Sequence, residues 1–273
     1  LWYQGESNTY NNVDIYEDLL VALVKSWRAA WGQDVWFLCV QLPNYHPLQT
    51  EPVEKSGWAR VREAERRAMA RLDRAGLATT IDMSRPLAWL EAKNQQRSIA
   101  DRILPAVLLM KAVALTLGEM RELNGFWTDT GFRAADGVHL GLAIAMKGGG
   151  LVAPAIHDAD RKSLNEWMVA LHDLIPRARA GRLRSSEMTD ATATLTNLGD
   201  LGVETVYGAI YPPQVALIGL GKIARRPWVD GDAVCVRPLL TATLAADHRA
   251  TDGRYGGRFL ETLDRLLQTP EQL

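Results

Sequence analysis

Apolar positions from Asp14 to Trp31 recur at helical spacing (Tyr16, Leu19, Leu20, Leu23, Val24, Trp27, Trp31) and stop at Gly32, which predicts an amphipathic helix. VWFLCVQL (35–42) has no polar alternation and ends at Pro43 and Asn44, as a strand buried on both faces would. A charged, helix-favouring stretch follows over 57–76, then a short strand at TTIDM, 79–83. Helices are expected over 86–100 and, more apolar, over 104–120, with VHLGLAIAMK and LVAPAI reading as two strands around the turn KGGG. Ser163 with Glu166 three residues on has the spacing of a capping box, opening a helix that ends at Gly181. Three strand-like runs come next, TATLTNLG, PQVALIGLGKI and AVCVRPLLTATLAADH, before a terminal helix from about Gly257 to Leu267. Helices and strands in this irregular order, without internal repeats, describe an α/β protein of the α+β type.

Composition narrows the picture only a little. An apolar fraction of 47% over 273 residues supplies a sizeable core, and a net charge of -1 gives no electrostatic reason to expect nucleic acid or an anionic membrane. No apolar run reaches the length that spans a bilayer. Cys39 and Cys235 each lie inside an apolar run, which suggests reduced strand thiols in a cytoplasmic protein and no metal site. The nine tryptophans read mostly as core. Opening on Leu1, straight into a motif, the chain reads as a fragment, a processed chain or one whose upstream part is missing.

Two stretches invite chemistry. At the start, LWYQGESN offers Ser7, but GESN lacks the second glycine of a G-x-S-x-G nucleophile elbow. Near the end, LLTATLAADHRATDGRYGGRFL puts His248 four residues before Asp252 and Gly253, where a strand meets a turn. Other candidates are weaker. KGGG leads into a strand and not a helix N-terminus, and GLGK (219–222) lacks Walker spacing. His46, His157 and His172 have no partner by motif, and Arg225 and Arg226 read as solvated.

WYQGESN, continuing through WRAAWGQ, VWFLCVQLPNY and GWARVREAERRAM, resembles the sialate O-acetylesterases, carbohydrate esterases of the SGNH-hydrolase type, over Leu1 to about Ala78. The resemblance implies a partial flavodoxin-like segment in which Gln4, Gly5 and Glu6 line a site. The family's nucleophilic serine and its histidine both belong to blocks absent from this sequence, so this half is expected to be inert as an esterase.

DHRxxDG is similar to the active-site motif of the dihydrolipoamide acyltransferases, the catalytic domains of 2-oxo acid dehydrogenase complexes, and of chloramphenicol acetyltransferase. LPAVLLMKAVALTLGEMRELNGFW, GVHLGLAIAMKGGGLVAPAIHDADRKSLNE, TLTNLGDLG and YPPQVALIGLGKIARRPW resemble consecutive pieces of the same domain, covering about Thr79 to Leu273. The resemblance implies a chloramphenicol acetyltransferase-like fold and exchange of an acyl group between the thiol of coenzyme A and a dihydrolipoyl group on a separate carrier domain, without a metal. His248 then takes the general-base role, for which an imidazole suits a thiol of pKa about 8.5. Thr196 supplies the hydroxyl to the oxyanion, Asp252 helps hold the catalytic loop, and Asn197, Gly199 and Gly253 belong to the substrate site. Thr192 and Thr194 read as ordinary strand threonines, and Asp247 and Arg249 as structural ion pairs. The resemblance further implies a homotrimer or an assembly of trimers, with His248 and Thr196 meeting between subunits. The two family patterns join within 66–83, giving domains 1–78 and 79–273. A sialate esterase and a non-catalytic assembly module are the alternative functions.

Overall fold

A computed structural model describes residues 13–32, 37–40, 60, 61, 64, 65, 67, 68, 75–146, 149–231 and 233–273. Its centre is an eight-stranded mixed sheet. The strands are β1 (Phe37–Val40), β2 (Ala75–Asp82), β5 (Leu140–Leu142), β8 (Ala155–Ile156), β9 (Ala193–Asn197), β10 (Ala216–Leu220), β11 (Ala224–Asp230) and β12 (Ala233–Ala246). They run in the order β1-β2-β12-β10-β9-β5-β8, with β11 paired to the first half of β12. Two small hairpins, β3 (Gly125–Thr128) with β4 (Gly131–Ala134) and β6 (Ile144–Ala145) with β7 (Leu151–Val152), stand apart from it.

The helices are α1 (Tyr16–Trp31), α2 (Ser84–Gln95), α3 (Pro105–Glu119), α4 (Leu164–Arg179), α5 (Ser185–Thr189) and α6 (Gly253–Gln268). α3 begins with Pro at its first turn and is apolar on nearly every side, burying Val107, Leu108, Ala112, Val113 and Leu117, as befits a helix with neighbours all round. α4 opens on the expected capping box: the Ser163 N–H donates to Glu166 Oε2 at 2.7 Å and the Glu166 N–H returns to Ser163 Oγ at 3.3 Å. α6 presents Phe259, Leu260, Leu263, Leu266 and Leu267 to the core and packs on α3 and β2. Together these helices cover one face of the sheet, meeting Leu195, Ile218, Leu220, Leu240, Ala242 and Leu244 in a single cluster.

The opposite face is built from small residues. Thr192, just before β9, alternates with Thr194 and Thr196 on it, with Gly219 opposite Thr196 and Thr243 opposite Gly219. The segment after β9 lies directly on this face: Thr243 Oγ1 donates to Val206 O at 2.6 Å and the Lys222 N–H to Val203 O at 2.7 Å. A side chain at Gly219 would overlap Val206 and Thr243, and one at Gly221 would overlap Glu204. The GLG of GLGK is therefore a close-approach device between strand and overlying segment.

Several boundaries differ from expectation. Ala75 and Gly76 lie in β2, not in a helix, because β2 pairs in parallel with β1 through Phe37↔Ala75 and Leu38↔Gly76. β1 extends the main sheet at its edge, while α1 forms a separate cluster with Val61, Ala64 and Ala68, against which Leu77 of β2 packs. α2 ends at Gln95, earlier than expected, and α6 starts four residues earlier than expected, since Asp252 caps a glycine-rich first turn that shows no apolar periodicity. The β3–β4 hairpin and β11 carry no periodic signal in the sequence; β11 contains Pro227, which an edge strand tolerates. Of the tryptophans among the described residues, Trp167 is fully buried, donating from Nε1 to Ala159 O at 3.0 Å, but Trp31 is 59% exposed. Cys235 is a free thiol; the Cys39 side chain lies outside the described residues.

Candidate active site

β12 leaves the sheet after Ala246. The Asp247 N–H makes one further contact, to Val215 O at 2.8 Å, and the chain then turns back as the Ala250 and Thr251 N–H groups donate to Asp247 O at 2.9 and 3.1 Å. Asp252 closes the turn by accepting from the Tyr255 N–H at 2.8 Å, which caps α6. Gly256, in the first turn of that helix, has Leu77 and Leu244 where a side chain would stand, so the helix start lies close on the strands. The backbone around His248 is thus fixed at both ends.

Side chains brace the same turn. Asp247 accepts from Arg249 Nε and, at 2.6 Å, from its terminal nitrogen, and this bond outweighs burial to hold the carboxyl below the usual aspartate range. The Arg249 guanidinium in turn lies 4.6 Å from the ring centre of Trp127 on β3. Asp247 and Arg249 therefore pair with each other. His248 lies between them, partly buried, with Nε2 sealed from solvent and without a hydrogen-bond partner among the described residues. Thr251 Oγ1 is in the same condition. Both residues line a small cavity of about 30 Å³ whose other walls are Leu77, Leu244, Ala246, Asp252, Gly253 and Gly256.

The three alternating threonines divide sharply. Thr192 Oγ1 donates to Asn124 Oδ1 at 2.5 Å, and Thr194 Oγ1 to Gln214 Oε1 at 2.6 Å, both buried. Thr196 is half-buried, with no side-chain hydrogen bond to another described residue. Its neighbour Asn197 accepts the Gly199 N–H on Oδ1 at 3.0 Å, and Gly199 lies tight against Gly221 O. Asn197 and Gly199 accordingly shape the turn after the strand, and Gly253 is the buried first residue of α6.

Within one chain His248 and Thr196 do not meet. Ala246 is opposite Ala216 of β10, and Thr196 is opposite Gly219, three residues further along that strand. With His248 two residues beyond Ala246, the offset is about five residues at ~3.3 Å each, plus two strand spacings, or roughly 15–20 Å. Neither side chain spans that gap.

Gln4, Gly5 and Glu6 lie outside the described residues, as does His46. His157, expected to be without a partner, pairs through Nε2 with Asp190 Oδ2 at 3.0 Å and lies 5.0 Å from the His139 ring, an arrangement set by tertiary packing and invisible in sequence. Arg226, read as solvated, is half-buried and pairs with Glu204 at 3.3 Å. Among the described residues no cluster of three or more His, Cys, Asp or Glu could hold a metal ion. Two residues of the site were missed: Trp127, whose contact with Arg249 joins positions far apart in the chain, and Thr251, which stands inside DHRATDG without a role assigned to it.

The profile of 2-oxoacid dehydrogenases acyltransferase (catalytic domain) matches residues 53–273, starting inside the stretch that resembles the esterases. The chain is 33% identical over 162 residues to the dihydrolipoyllysine-residue acetyltransferase component of the pyruvate dehydrogenase complex of Rickettsia bellii, covering 59% of this chain and 38% of that protein. It spans about two fifths of the length of such curated relatives. Among solved structures, a probable dihydrolipoamide acetyltransferase from Listeria monocytogenes superposes with a TM-score of 0.66 at 25% identity, over 81% of this chain and 94% of that one. The cubic core of a pyruvate dehydrogenase multienzyme complex superposes with 0.65 at 26% identity, over 83% and 97%. With the profile covering most of the sequence and the fold in agreement, the chain belongs to the family of 2-oxoacid dehydrogenase acyltransferase catalytic domains.

Proposed function

We propose that this protein exchanges an acyl group, acetyl by analogy with the similar curated proteins, between coenzyme A and the dihydrolipoyl arm of a separate carrier domain. The observation that carries the reading is His248, whose Nε2 is buried at a strand end beside a small cavity with its hydrogen-bonding capacity unused. A buried polar atom without a partner costs about 1–3 kcal/mol, and a base that must meet a substrate proton is a reason to keep one.

In the proposed reaction His248 Nε2 takes the proton of the coenzyme A thiol, and the thiolate sulfur attacks the carbonyl carbon of the S-acyl dihydrolipoyl group. The carbonyl π pair moves to oxygen, where the unengaged hydroxyl of Thr196 donates a hydrogen bond. Collapse expels the dihydrolipoyl sulfur, which takes the proton back from the imidazolium. Asp252, as cap of α6, holds the turn that carries His248; Asn197, Gly199 and Gly253 shape the walls through which the thiol arms approach. Since Thr196 and His248 stand roughly 15–20 Å apart in one chain by strand geometry, the working site pairs His248 of one copy with Thr196 of another, in a homotrimer or an assembly of trimers. The resemblance of residues 1–78 to esterases is then that of a segment appended to the acyltransferase domain. Free-thiol chemistry suits a reducing, cytoplasmic setting.

The test is transfer from an acyl-coenzyme A to free dihydrolipoamide. Wild type is expected to turn over, and His248→Ala to lose about 10²- to 10⁴-fold in kcat, the range for a general base, with the mass by light scattering unchanged. Equal rates for the two proteins would refute the reading.

A further inference from the structure

We propose that Thr251 is a further catalytic residue, its hydroxyl donating a hydrogen bond to the same sulfur atom whose proton His248 removes; this rests on the acyltransfer reading and deepens it. Among the described residues few side-chain polar atoms are both buried and without a partner, and two of them, His248 Nε2 and Thr251 Oγ1, line one cavity. Their coincidence is what points to a ligand. The residue as a whole is 8% exposed, so bulk water does not satisfy the hydroxyl.

Geometry fixes where it points. The Thr251 N–H is held by Asp247 O at 3.1 Å and the next residue caps α6, so the backbone has little freedom, and a β-branched side chain has few rotamers to choose from. The cavity of about 30 Å³ admits one water-sized or sulfur-sized occupant. A water is comfortable with two to four polar partners. Here Leu77, Leu244, Ala246, Gly253 and Gly256 offer apolar or backbone surface, and Asp252 spends its Oδ1 on the cap of α6. His248 and Thr251 would give a water only the lower end of that range, whereas they match a sulfur atom, which needs one acceptor for its proton and one donor as thiolate character develops. His248 provides the first and Thr251 the second.

Thr251→Val removes the hydroxyl at constant shape, and Thr251→Ser keeps it. In the transfer assay Thr251→Val is expected to lower kcat about tenfold, the loss of one hydrogen bond to a charged atom, with KM for the acyl-coenzyme A nearly unchanged and Thr251→Ser close to wild type. A second readout needs no turnover. Calorimetric binding of coenzyme A and of its desulfo analogue should show wild type favouring the thiol, with that preference falling about three- to tenfold in Thr251→Val. Wild-type kcat in Thr251→Val, equal losses in the valine and serine variants, or a wild type that does not distinguish coenzyme A from the desulfo compound would each overturn the assignment. A wild type that distinguishes them yet transfers no acyl group would instead count against the proposed reaction and leave the sulfur contact standing.

Discussion

Trp127 and Arg249 show how a contact outside the DHRxxDG motif sets the position of the histidine within it. The guanidinium has Asp247 along one edge and the indole across its face, so β3 braces the turn that β12 and α6 only delimit. Arg249 is 62% exposed, which keeps the cation–π contribution at the low end of its range. Trp127→Ala should therefore lower kcat of acyl transfer about two- to fivefold without changing the mass of the assembly. Loss beyond a hundredfold would mean that Trp127 touches substrate, and no change would mean that the turn holds itself.

Between elements, α4 and α5 are joined by a bidentate ion pair. Arg177 donates to both oxygens of Glu187, at 2.7 and 2.6 Å, and also to Asp173, while the Arg184 N–H donates to Glu187 Oε2 at 2.7 Å. The Arg177 bond leads in holding the Glu187 carboxyl down at about 2, against burial, which pushes it up. Its folded pKa lies below its unfolded value, so its contribution to stability is complete above about pH 4.5 and is lost as pH falls toward 2. Chemical denaturation of Glu187→Gln should show a loss of about 2 kcal/mol at pH 7 that shrinks between pH 4.5 and 2. A deficit constant over that window would show that the charge is not what matters.

This join also marks the limit of what the sequence reveals. The capping box of α4, the threonine strand β9 and the long final strand are written locally, in spacing and alternation, and they appear where the pattern puts them. Arg177 with Glu187, Arg237 with Asp82, and the β3–β4 hairpin depend on partners brought together by folding, or on runs of four residues too short for periodicity to register. The same division holds at the site. His248, Thr196 and Asp252 could be named from motifs, whereas the orphaned pair His248 and Thr251, and the separation of His248 from Thr196, come from packing and register alone.

At the scale of the whole molecule, one sheet face is sealed by α3, α4 and α6, and the other by a segment lying on threonines and glycines, leaving the two proposed catalytic side chains at opposite ends of two strands separated by β10. No helix among the described residues is long and apolar enough to cross a membrane. A catalyst divided in this way works only when copies of the chain are arranged so that the His248 end of one faces the Thr196 end of the next, the heterologous contact that closes into a ring. Mixing variants tests this directly. His248→Ala and Thr196→Ala, each expected to be inactive alone, are co-expressed so that both enter the same assemblies, and acyl transfer to dihydrolipoamide is measured. Random mixing of the two in a cyclic trimer restores about a quarter of the sites, each with His248 from one variant and Thr196 from the other, and activity should return to that level. Mixed assemblies as inactive as the separate variants would contradict a site shared between copies.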